Sequence, residues 1–95
     1  MDYVVRPLAS VTVRLARADR SVQDAFQHIA SVLAINPYPN PQFPLVTEDR
    51  AANGGTIYTY SDDNFPYAIQ YVIFDPVDDN YGVIAVIDLI PLRGR

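Results

Sequence analysis

The side chains here that could stack, hold a phosphate or move a proton are tyrosines, arginines and one histidine. Tyr58, Tyr60, Tyr67, Tyr71 and Tyr81 could stack on bases or receive a partner's apolar anchors, because an aromatic ring gives a large contact area with little entropy loss. Their plainer role is packing on a sheet. Arg14, Arg17 and Arg20 could form a basic stripe, but Asp19 and Asp24 lie close enough to neutralise it, so the stripe reads as a solvated face. His28 could serve as a general base, yet it lies between Phe26 and Ile29 with no nucleophile spaced to meet it. Asp75, Asp78 and Asp79 lack the spacing and closing glutamate of a calcium loop, and read as a solvated turn with no metal. Asn53-Gly54-Gly55 precedes neither a P-loop lysine nor a helix, so it too is a turn. With no cysteine, thiolate ligands, disulfides and a cysteine nucleophile are excluded. No cofactor is expected.

The charge distribution narrows the chemistry further. All seven basic residues are arginine, against eleven acidic residues, and none lies between Ala51 and Leu92. Asp62, Asp63, Asp75, Asp78, Asp79 and Asp88 all fall in that stretch. Affinity for nucleic acid comes largely from cations that displace counterions from phosphate, so this acidic half opposes an RNA- or DNA-binding surface.

These side chains must be positioned by a single fold, since 95 residues support one core and not two. A hydrophobic fraction of 49% with 19% charged residues is ordinary for a folded domain and too apolar for disorder. No apolar run approaches the roughly 20 residues needed to cross a bilayer, and Met1 to Arg6 lacks a signal-peptide pattern. A cytoplasmic chain of bacterial or archaeal type, with no membrane partner, is the expectation. Tyr3 to Arg6 reads as a strand, with Pro7 opening a helix at its first turn. Leu8, Val11, Leu15 and Ala18 make an apolar stripe that ends near Asp19-Arg20. Ser21 and Asp24 form a capping-box-like start to a second helix, whose stripe of Val22, Ala25, Phe26, Ile29 and Leu33 runs out near Ile35.

Pro37, Pro39, Pro41 and Pro44 then enforce an extended crossover. Three strands follow, over 56–60, 67–74 and 81–90, joined by polar turns. The expected fold is therefore α+β, a single domain over residues 1–95. An N-terminal strand and a helical hairpin pack on an antiparallel sheet of about four strands, in the order β-α-α-β-β-β. The last two strands are nearly continuous in apolar residues, so a partner or second copy is expected to cover what the helices do not. Ile84 and Val86 are expected to face that outer surface.

The order of elements resembles the RelE/ParE superfamily of toxins. The resemblance is carried by Tyr3-Val4-Val5-Arg6-Pro7, by a second helix ending in Asn36-Pro37-Tyr38-Pro39, and by the strand Tyr67 to Ile73. The acidic turn Asp78-Asp79-Asn80 and the apolar strand Val83 to Ile90 complete it. It implies a component of a type II toxin-antitoxin system, of the kind active in plasmid stabilisation, that inhibits growth or translation and is neutralised by a cognate antitoxin. RelE-type members are ribosome-dependent endoribonucleases that use basic side chains and often a tyrosine; ParE-type members poison gyrase. This sequence departs from the nuclease pattern, with Tyr58 and Tyr60 where a lysine or arginine is usual, and Tyr67-Ala68 where tyrosine-arginine is usual. The remaining catalytic candidates are Arg93, Arg95 and Tyr60. Tyr58, Tyr67, Tyr71, Ile84 and Val86 are the expected partner-binding residues, with antitoxin or a second copy as the partner. The alternative is a non-catalytic protein-interaction module on the same fold.

Overall fold

A computed structural model describes residues 3–39, 45–77 and 80–92. Strand β1 (Tyr3–Pro7) leads into helices α1 (Ala9–Ala16) and α2 (Arg20–Ile35), and strands β2 (Val46–Arg50), β3 (Thr56–Tyr60), β4 (Tyr67–Phe74) and β5 (Gly82–Pro91) follow. The class is α+β, and the sheet has five strands in the order β1-β5-β4-β3-β2. It is mixed: β1 runs parallel to β5, and every other neighbour is antiparallel. Among the described residues no helix is long and apolar enough to cross a membrane.

Three local expectations are corrected. Pro7 does not open a helix; it ends β1 opposite Val86, and Leu8 N–H then donates to the Val86 carbonyl (2.9 Å). Proline is tolerated there because β1 is an edge strand, where an amide can go without a ladder partner. α1 stops at Ala16, and α2 begins at Arg20 behind an extended Asp19, so Ser21 lies inside the first turn and forms no capping box. The Gln23 amide, reaching back from α2, donates to the carbonyls of Leu15 (3.0 Å) and Ala18 (3.2 Å). That contact caps the end of α1, where the Leu15 carbonyl also accepts from Ala18 N–H (3.1 Å). The third correction is β2, a fifth strand that carries no strand signature in the sequence. Four of its five residues are exposed and polar, so it carries no alternation of the kind that marks a half-buried strand. Its hairpin with β3 closes through Asn53-Gly54-Gly55, where Gly54 has φ +90° and Ala51 N–H donates to the Gly55 carbonyl (2.8 Å).

Phe26, Ile29 and Leu33 of α2 and Val11 of α1 meet one face of the sheet in a single core with Tyr58, Tyr60, Ile69, Tyr71, Ile84, Val86 and Leu89. The expected helix stripe is therefore the buried one. In β5 the inward residues are Ile84, Val86 and Leu89, a spacing that simple alternation cannot supply. A register shift between Gln70 and Tyr71 resolves it, because Gln70 pairs with Asp88 but Tyr71 pairs with Val86. The extra residue on β5 returns Leu89 to the core and leaves Asp88 exposed.

Candidate functional site

The catalytic candidates separate on inspection. Arg93 and Arg95 lie outside the described residues. Tyr60 is buried at 4% exposure and its hydroxyl donates to Asp62 (2.7 Å). Burial, helped by the bond to Asp62, pushes the phenol well above its ordinary range, the wrong direction for a group that must give up a proton near neutrality. Arg14 is exposed, as a solvated stripe residue would be, but it is also held. Its guanidinium donates to the Leu89 carbonyl (2.6 Å), pairs with Asp88 (3.3 Å) and lies 5.5 Å from the centre of the Tyr67 ring. A cation held by a strand carbonyl, a carboxylate and a ring is committed to docking α1 on β5, not to phosphate. Arg20 pairs with Asp24 (3.3 Å), and His28 is exposed on α2. Among the described residues no three acidic or histidine side chains converge to hold a metal; Asp78 and Asp79 fall outside those residues.

Asp75 has a structural role instead. Its Oδ1 accepts from the hydroxyls of Tyr3 (2.9 Å) and Tyr38 (2.5 Å), which ties β1, the segment after α2 and the end of β4 together. These two donors hold the carboxyl below its ordinary range. Beneath it Tyr58 stacks on Tyr71 (5.7 Å between centres) and meets Tyr38 edge-on. Tyr71, with no exposed surface, donates its hydroxyl to the Pro37 carbonyl (2.7 Å). Five tyrosines that sequence alone left open to base stacking thus divide. Tyr58, Tyr60 and Tyr71 are core, Tyr67 lies under Arg14, and Tyr81 is 55% exposed. Tyr71→Phe is expected to strand the buried Pro37 carbonyl and lower stability by about 1 to 2 kcal/mol, read by chemical denaturation.

The expected partner-binding set is corrected for the same reason. Ile84, Val86 and Tyr71 have no exposed surface, and Tyr58 has 9%. Helices and the Pro37-Tyr38 segment cover that face, so these side chains cannot meet a second protein. The uncovered face carries their alternates. Val4, Val83, Ala85, Val72 and Ile57 point away from the helices; they are half-buried and stand outside the core cluster. Phe74, on the same face, is 58% exposed. A depression of about 240 Å³ lies where Ile57, Val72 and Ile87 meet the β2–β3 turn. Strand pairing sets Arg6 beside Ala85, Ala85 beside Val72, and Ile57 beside Asp49. Because Tyr58 pairs with Tyr71, Ile57 falls next to Val72, and one row crosses all five strands. The row has a cation at one end, a carboxylate at the other and apolar side chains between them.

Fold and surface together define a small α+β domain with one sheet face sealed by helices and the other apolar and open. No protein-family model, curated protein or solved structure matches this chain.

Proposed function

We propose that this chain is a RelE/ParE-like toxin component that acts by binding protein, with the RNA-cleaving chemistry of the nuclease branch lost, and that a cognate antitoxin neutralises it. The observation that carries the reading is the open apolar sheet face, with Arg14 and Arg20 of the helical stripe already paired to carboxylates. An apolar face of several strands is retained where a protein covers it, and it offers nothing to a phosphate backbone. The acidic half of the chain adds to this, because it would repel RNA in the decoding site. Gyrase, a protein target, suits the surface better than messenger RNA does. A non-catalytic interaction module on the same fold is the second reading, favoured by the same face.

Induced expression in bacteria separates these readings. The expected result is slowed growth, relieved by co-expression of the neighbouring small reading frame, with no ribosome-dependent cleavage of messenger RNA. Cleavage that disappears in Arg93→Ala would overturn the protein-binding reading and restore the nuclease. Unchanged growth would overturn the toxin reading and leave the interaction module.

A further inference from the structure

We propose that the uncovered sheet face is the interface of a two-fold symmetric dimer of this chain, in which Arg6 of each copy meets Asp49 of the other across a shared apolar centre of Ile57, Val72, Val83 and Ala85. The inference does not require toxin activity but concerns the same face as the proposed function, so a second copy would occupy that face in the free protein and give way to a target or antitoxin.

A face that binds a copy of itself must be complementary to its own image under a two-fold rotation. Consider a rotation axis lying between the two sheets and parallel to the strands. It carries β1 of one copy over β2 of the other and leaves heights along the strands unchanged. Arg6 on β1 and Asp49 on β2 belong to one row, at opposite edges of the sheet. The rotation therefore lays each arginine on the other copy's aspartate, forming two reciprocal pairs about 19 Å apart at a strand spacing of about 4.8 Å. Between them Val72 faces its own counterpart, and Ala85 faces Ile57 of the second copy. An axis across the strands would instead lay β1 on β1 and bring like charges together, so the charges select one orientation.

Two further observations fit this occupant. Among the described residues neither Arg6 nor Asp49 has an ion-pair partner within the chain, whereas Arg14 and Arg20 each have one. Second, the five strands of 5, 5, 5, 8 and 10 residues give a face with a planar area of roughly 520 Å² per copy, about two thirds of the about 800 Å² per partner of standard stable complexes. Face-to-face sheets normally pack with strands within about 30° of one another, which this axis permits.

Sedimentation velocity on the full chain tests the proposal. The expected result is a concentration-dependent dimer. Val72→Asp, which places a charge at the centre of the face, should abolish it while leaving the circular dichroism spectrum intact. Arg6→Glu and Asp49→Arg lie on exposed positions and should each weaken the dimer about tenfold or more by opposing like charges. The double variant Arg6→Glu/Asp49→Arg should restore it, because reversing both ends preserves complementarity. A monomer at the highest attainable concentration would overturn the proposal, and so would a dimer that both single reversals leave unchanged.

Discussion

Phe26→Ala is expected to lower stability by about 3 to 5 kcal/mol, the cost of deleting a buried aromatic ring whose surroundings relax only partly. The ring is 3% exposed and belongs to the core that joins α2 to the sheet. A small domain has only about 5 to 15 kcal/mol in total, so the variant should be largely unfolded at modest denaturant concentration. Urea unfolding followed by circular dichroism gives the number. A loss near 1 kcal/mol would mean that the site collapses around the deletion and that α2 is held mainly by other contacts.

Gly82→Ala is expected to be nearly as damaging, at about 3 kcal/mol, though it adds a single methyl group. A Cβ at Gly82 would lie 2.5 Å from Cδ2 of the Tyr3 ring and 2.8 Å from the Phe74 carbonyl oxygen. The ring could swing aside, but the carbonyl belongs to the backbone at the end of β4, so a strand has to move. Overpacking of this kind typically costs about 1 to 3 kcal/mol. Moving Tyr3 would also disturb the hydroxyl that it donates to Asp75. Thermal melting compares the variant with Tyr3→Ala/Gly82→Ala; partial recovery in the double variant would assign the strain to the ring, and none would assign it to the carbonyl.

The parts of this fold that could be read from sequence are those whose residues repeat at a structural period. Phe26, Ile29 and Leu33 recur at helical spacing and are buried, and Thr56–Tyr60 and Tyr67–Phe74 are strands with the expected bounds. β2 has no such repeat, because an outermost strand with exposed Thr47, Glu48, Asp49 and Arg50 is specified by pairing with β3. The inward and outward faces of β5 look alike in sequence because both are apolar, which is why Ile84 and Val86 read as outer residues but are buried. Alternation could not say which of Ile84 and Val83 meets the helices, and the shift at Gln70/Tyr71 broke the phase again before Leu89. The surface row of Arg6, Ala85, Val72, Ile57 and Asp49 was equally illegible. It exists only after strands distant in sequence are set side by side.

The parallel pairing of β1 with β5 bears on how the chain acquires its shape during synthesis. Tyr3 is matched with Gly82, so among the described residues β1 has its sheet neighbour in β5, far along the chain. Contacts this far apart carry a large loop-closure cost and form late. While the polypeptide is emerging from the ribosome, α1 and α2 can coil locally, but the surface they will cover is missing its two strands nearest β1. The sheet is therefore complete only once β5 is paired with both β1 and β4. Until then, the apolar stripe of α2 lacks Ile84, Val86 and Leu89, the part of its core that β5 supplies.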